Sequence, residues 1–246
     1  MSNEWRDRIY DNYMTNVFAD AHNNNKEMAR QCKYFEKNYL NYLPKNTDSK
    51  ILELGTGMGH FLYFLEKHGY TNYEGIDLSE ENINYVKKTI DSSVTIHKKN
   101  LLDFLDESES EIYDVVIFND VIEHMTKTEI FSVLDGVNKV LRSGGVFFIK
   151  TPNMANPYVN TAGRYIVIDH EIGFTEVSMK EVLRACGYSE IKIIGTDIYV
   201  LNPLISIPAK ALSKLINLRL YFLSALYGRT SIKIFEKDIL AIAYKK

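Results

Sequence analysis

Ile51-Leu52-Glu53-Leu54-Gly55-Thr56-Gly57-Met58-Gly59-His60-Phe61-Leu62 is the stretch whose reading decides the fold. Its first four residues, three of them apolar, suit a buried strand. Alternating glycines then make a turn, and an apolar pattern of helical period follows. Glycine lets the backbone take positive φ, and its missing Cβ lets a ligand come close. The amides that open the next helix then face an anionic or polar group. A dinucleotide fingerprint would need a further glycine where this chain has His60, which argues against a nicotinamide or flavin cofactor.

Three more stretches follow this loop. Tyr73-Glu74-Gly75-Ile76-Asp77-Leu78-Ser79 reads as a second strand ending on a carboxylate, placed where a ribose diol is held in Rossmann-like sheets. Tyr113-Asp114-Val115-Val116-Ile117-Phe118-Asn119-Asp120-Val121-Ile122-Glu123-His124 contains a continuous apolar run, as a central parallel strand buried on both faces requires. Leu141-Arg142-Ser143-Gly144-Gly145-Val146-Phe147-Phe148-Ile149-Lys150-Thr151-Pro152-Asn153 reads as a Gly-Gly turn into a fifth strand. Together these stretches, over about residues 48–195, resemble the class I S-adenosylmethionine-dependent methyltransferases.

The resemblance implies an α/β, Rossmann-like fold: a seven-stranded, mostly parallel sheet with an antiparallel last strand and helices on both faces. Ile191 to Ile194 is expected as the sixth strand and Asp238 to Tyr244 as the last. It implies S-adenosyl-L-methionine as cofactor, held by Glu53, Gly55, Thr56, Gly57 and Gly59 of the loop, by Asp77 at the ribose, and by Leu78 over one adenine face. Asn100 and Leu101 would read the adenine edge, although the family usually has an acid at Asn100. Asn119 would sit near the methionine end. Glu53 would receive the methionine ammonium or organise the loop, and the two roles are compatible.

Chemistry in open α/β sheets sits past the C-terminal ends of the strands. If the turn after Asn119 runs directly into helix, Asp120, Glu123 and His124 share one face. Asp169-His170-Glu171 leaves the same edge, so Asp120, Glu123, His124 and His170 are expected to converge. Two carboxylates and two imidazoles suit a divalent metal such as Mg, Mn, Fe or Zn. The pattern is similar to the acid-x-x-Glu-His motif of ubiquinone-pathway O-methyltransferases and of small-RNA 3′-terminal 2′-O-methyltransferases, which carry Glu where this chain has Asp120. Without metal, His124 or His170 serves as general base beside Asp120, or both histidines are structural.

Composition bounds the rest. The 246 residues suit one α/β domain with additions, and with a net charge of −3 nothing global points to nucleic acid, which is not expected as a partner. Cys32 and Cys186 are far apart, without metal-ligand spacing, and are expected as free thiols in a reducing compartment. The polar N-terminus shows no signal core and no apolar run is long enough to span a bilayer, so a cytoplasmic protein is expected.

The chain divides into a helical lid segment (1–45, with Tyr10 and Tyr13 as lid candidates), the cofactor-binding core (46–198), an insertion (199–235) and the last core strand (236–246). Tyr158, Asn160, Arg164 and Tyr165 suit acceptor contacts on a loop over the sheet. Ser178 to Glu181 has capping-box form. The insertion has no Asp or Glu, and Lys210, Lys214 and Arg219 punctuate its leucines. Such a helix lies in a membrane interface, grips a lipid-linked substrate, or packs on the core or a second subunit of a homodimer.

The expected reaction is O-methylation of a sugar hydroxyl on a nucleotide- or lipid-linked glycan intermediate, as in surface-polysaccharide biosynthesis, placing the protein in the cytoplasm or at the inner face of the membrane. A phenolic quinone precursor is the alternative acceptor. A non-catalytic cofactor-binding subunit docked on a membrane or partner is the alternative class.

Overall fold

The computed structural model describes residues 6, 8–9, 25–90, 94–165, 167–196 and 203–246. Tyr10 and Tyr13 lie outside the described residues, as does the side chain of Asn160.

Strands form where apolar residues run without a break. Ile51–Leu54 (β1) is buried throughout, and Tyr113–Asn119 (β4) is buried along its apolar run. Tyr73–Asp77 (β2), Thr95–Lys98 (β3), Leu141–Pro152 (β5), Ser189–Gly195 (β6) and Asp238–Tyr244 (β7) complete one sheet of order β3-β2-β1-β4-β5-β7-β6. Every pair from β3 to β5 is parallel, and β7 runs antiparallel to both β5 and β6. The expected seven-stranded methyltransferase-type sheet is present.

Helices cover both faces. Asn25–Asn38 (α1), His60–Lys67 (α2) and Glu80–Thr89 (α3) lie on one, where Phe35, Tyr39, Phe61, Phe64 and Val86 pack with Ile51, Ile117 and Phe148. Leu101–Glu107 (α4), Lys127–Val140 (α5) and Glu176–Ala185 (α7) lie on the other. Ile130, Val133, Leu134, Val137 and Val140 all turn inward from α5, as their helical spacing requires. Pro157–Tyr165 (α6) precedes α7, and Pro203–Leu226 (α8) fills most of the insertion before β7. None of the described helices is long and apolar enough to cross a membrane.

Three local expectations change. Gly144-Gly145 lies within β5 rather than before it. Pairing starts at Leu141↔Tyr113, shifts register, and resumes at Val146↔Val115, with Gly144 at φ 75 where the strand deforms. The cap of α7 is Thr175 rather than Ser178. Thr175 Oγ1 accepts from the Ser178 amide and Ser178 Oγ accepts from the Thr175 amide, so Ser178 is the third helical residue. The turn after β4 does not run directly into helix. Asp120 takes φ 55, Ile122–His124 makes one 3-10 turn, and α5 starts only at Lys127 behind the Thr126 cap.

Candidate active site

Parallel register brings the ends of β2, β1, β4 and β5 to one edge. Leu54 pairs with both Ile76 and Phe118, so Gly55, Asp77 and Asn119 follow side by side. Gly55, Gly57 and Gly59 take φ 76, 50 and 72. Their reasons differ. A Cβ on Gly55 would lie 2.6 Å from Val121 Cγ2, and one on Gly59 would lie 2.8 Å from Val86 and Ile90, whereas Gly57 faces open space. Two glycines serve packing, therefore, and the middle one leaves room for a ligand. The fingerprint acquires its meaning from residues 27 to 66 positions away.

Asp77 is engaged on both oxygens. Oδ2 accepts from the Gly57 amide at 2.8 Å, and Oδ1 accepts from the Ser79 amide at 2.8 Å and from Asn82 Nδ2 at 3.2 Å. Burial raises its carboxyl pKa, and these donors offset only part of that rise. Glu53 differs: it is 3% exposed and its Oε2 has no partner. Burial, then the nearby Asp77 charge, pushes it well above the usual carboxylate range. A buried, unpaired acid beside a second acid creates a place for a cation. Both the ammonium and the sulfonium of S-adenosylmethionine answer that demand.

The other expected contacts are placed as follows. Thr56 is buried, and its amide donates to Ile76 O at 3.0 Å. Its methyl lies 2.2 Å from where a Gly75 Cβ would be, which explains the glycine in β2. Leu78 is 45% exposed, an apolar surface beside Asp77 ready for a flat ring. Asn100 caps α4, its Oδ1 accepting from the Leu102 amide at 2.8 Å, with half-buried Leu101 next to it. Asn119 Oδ1 accepts from Tyr39 Oη at 2.6 Å while its Nδ2 is buried without a partner. Tyr39 thus carries the packing of α1 into the site, a link between residues 80 positions apart.

Past Asn119 the expected four-residue convergence becomes three. Glu123, His124 and His170 bring one donor atom each within 4.8 Å of one another. Asp120 leaves the set because its carboxylate is hydrogen-bonded to the Lys150 ammonium. Burial opposes the Lys150 charge, and the Asp120 and Asp238 carboxylates outweigh that cost. The loop carrying His170 is pinned to the 3-10 turn: the Glu171 and Ile172 amides both donate to Glu123 O, at 2.7 and 3.1 Å. The two imidazoles meet edge to face at 4.6 Å.

Their protonation differs. Carbonyls only accept, so His170 Nδ1, 2.6 Å from Gly163 O, carries the hydrogen and leaves Nε2 as the acceptor. Burial and the neighbouring His124 charge lower the His170 pKa. His124 Nδ1 lies 2.9 Å from Asp169 Oδ2, and Asp169 and Glu123 raise its pKa against the opposing effect of burial. Burial, followed by Asp120, raises that of Glu123, whose Oε2 accepts from Thr151 Oγ1 at 3.1 Å. Asp169 and Lys150 are site residues that local motif reading does not single out. A second donor group, Cys32, Glu36 and His68, forms between α1 and the end of α2, where spacing between the cysteines gave no sign of it.

Of the acceptor-loop candidates, Tyr158 and Tyr165 are exposed, and Arg164 donates to Glu171 O at 3.0 Å, which makes it a brace for the His170 loop.

Comparison with known proteins agrees with this geometry. Residues 22–193 match the family model described as a methyltransferase domain. An uncharacterised protein of Rickettsia prowazekii is 30% identical over 140 residues, 55% of each chain. A ribosomal protein L11 methyltransferase of Dictyoglomus turgidum is 28% identical over 111 residues, 44% of this chain and 33% of that one. The chain thus spans about half or less of these curated relatives. A solved S-adenosylmethionine-dependent methyltransferase from Archaeoglobus fulgidus shares the fold with a TM-score of 0.68 at 19% identity, over 96% of this chain and 100% of that one. With its sheet order, its glycine loop and a family match over more than half its length, the chain belongs to the methyltransferase domain family, with S-adenosylmethionine as its cofactor.

Proposed function

We propose that this protein transfers the methyl group of S-adenosylmethionine to a sugar hydroxyl on a nucleotide- or lipid-linked glycan intermediate. One observation carries the oxygen-acceptor reading. A buried histidine whose tautomer is set by Gly163 O, and whose pKa is lowered, stands at the C-terminal edge of the sheet beside Glu123 and His124. Val121, packed on Gly55, joins that turn directly to the cofactor loop.

When bound, the cofactor would supply an electrophilic methyl on a sulfonium, whose sulfur–methyl bond breaks in the transfer to leave a neutral thioether. The chain's own residues do the rest. Glu53 and Asp77 favour the cationic ligand. Asn119, held by Tyr39, offers Nδ2 at the same edge. His170 Nε2 accepts the hydroxyl proton as the acceptor oxygen takes the methyl, and later passes that proton to water. The Asp169–His124 pair keeps the adjacent imidazole in place. Most of the acceleration comes from holding acceptor and methyl in line.

His170→Ala tests the base. The turnover number should fall by about 10²-fold or more, with cofactor affinity within about twofold of wild type. Unchanged turnover would sink the base assignment. A second reading follows from the three clustered donors: Glu123, His124 and His170 hold a divalent cation that binds and acidifies the acceptor hydroxyl. Turnover lost in EDTA and restored by a divalent ion selects this reading. Turnover indifferent to EDTA dismisses it.

A further inference from the structure

We propose that α8 is a docking element for an anionic lipid surface, and that it lays its apolar stripe into the membrane interface. The observation is an inverted helix. The half-buried residues of α8 are mostly small or polar, Ser206, Ala209, Ser213, Asn217 and Ser224 among them, with Ile216 and Leu220 as the large apolar exceptions. Asn217 Nδ2 donates to Glu236 Oε1 at 3.1 Å on that side. The opposite face carries Ile207, Leu215, Leu218, Phe222 and Leu226, all exposed, with Leu215 at 64% and Phe222 at 63%. A helix that solvates itself as part of a folded domain does the reverse. An apolar patch of this size marks a contact with something apolar.

Charge selects the occupant. Residues 199–235 hold five Lys or Arg and no Asp or Glu, while the whole chain carries −3, so the remainder stands at −8. Lys214 and Arg219 are exposed and, at about 100° per residue, flank the apolar stripe on opposite sides. Long cationic side chains at those positions reach lipid headgroups while their stems lie along the acyl boundary. Symmetric pairing with a second copy would instead bring five cations against five. The helix does not cross the bilayer. Its 24 residues, about 36 Å long, lie along it.

Topology gives the docking a use. α8 leaves the sheet after β6 and returns at Asp238, which pairs with Pro152 at the C-terminal end of β5. That is the edge that holds His170 and Glu123. The far end of the insertion is fastened to the same edge, since Asn153 Nδ2 donates to Ile234 O and Glu236 O, each at 2.9 Å. A membrane under α8 therefore presents lipid-linked molecules to the catalytic edge. Only this last step rests on the proposed acceptor; the docking itself does not.

The experiment is flotation of the full chain with phosphatidylcholine vesicles, with and without phosphatidylglycerol, across a salt series. The wild type should float with the anionic vesicles and less so as salt rises. Leu215→Glu/Phe222→Glu should reduce the floating fraction about tenfold or more, and Lys214→Glu/Arg219→Glu should remove the preference for anionic lipid. All four positions are exposed, so melting temperature and S-adenosylmethionine affinity should stay at wild-type values, which separates a docking defect from misfolding. Wild-type protein that stays at the bottom with both vesicle types overturns the proposal. So does a stable dimer that fails to float and is split by Leu215→Glu/Phe222→Glu, because the stripe then belongs to a second copy.

Discussion

Glu53 keeps a carboxylate where it is costly, with one oxygen unpartnered and burial raising its pKa. A cationic ligand beside it offsets that cost. Glu53→Gln should therefore weaken S-adenosylmethionine binding by about tenfold or more, the scale of one lost charge-assisted bond. The ligand-free melting temperature should hold or rise, because a buried charge has been removed. Calorimetric titration and thermal denaturation of the same two samples check both halves. Loss of stability with unchanged affinity would assign Glu53 to loop architecture alone.

The histidines carry opposite pH signatures. A base must be neutral, and His170 has a lowered pKa, so kcat/KM should rise with pH only below about 6.5 and be flat above it. His124 has a raised pKa. Its share of stability is complete below the unfolded value and is lost as pH rises through the higher folded value. The melting-temperature gap between wild type and Asp169→Asn should thus be widest near about pH 6 and narrow toward alkaline pH. A gap that is constant with pH would remove the Asp169–His124 pair from the explanation. Neither Asp169 nor Lys150 was legible as a site residue. Their partners, His124 and Asp120, lie 45 and 30 positions away, and only the sheet brings them together.

Among elements, the strand-loop-helix unit of β1 and α2 was legible because glycine spacing and an apolar run report local backbone demands. What each glycine is for was not. Gly55→Ala meets Val121 and a positive φ, so it should lower the melting temperature by about 5 °C or more. Gly57→Ala meets nothing within 4 Å at φ 50, so its stability cost is the left-handed backbone alone, about 1–2 kcal/mol. Its loss of cofactor affinity should exceed about tenfold, because its Cβ occupies the ligand's approach. Thermal denaturation alongside cofactor titration reads the contrast, and equal behaviour of the two variants would contradict it. The 3-10 turn after β4 escaped the sequence because its stop is tertiary: Asp120 is held at positive φ by Lys150, whose carbonyl also accepts the Asp120 amide at 2.9 Å. The Thr175 cap escaped for a similar reason. Phe174 is bridged to Asn153 across the sheet edge, and this decides where the following helix begins.

At the scale of the molecule, the sheet was legible because buried parallel strands read as uninterrupted apolar runs and β7 closes the chain with one. The direction in which α8 turns its leucines was not, since periodicity gives a stripe without saying whether it faces in or out. Loop, acids and histidines along one edge suit methyl transfer, and the proposal made of them is that the acceptor is a sugar hydroxyl. Its most direct test is incubation of the full chain with methyl-labelled S-adenosylmethionine and a panel of nucleotide-linked sugars, lipid-linked sugars and phenols. Label should appear on a sugar oxygen, dependent on His170 and abolished by Asp77→Ala. Label on a phenol alone, or tight cofactor binding with no transfer to any member of the panel, would contradict that reading.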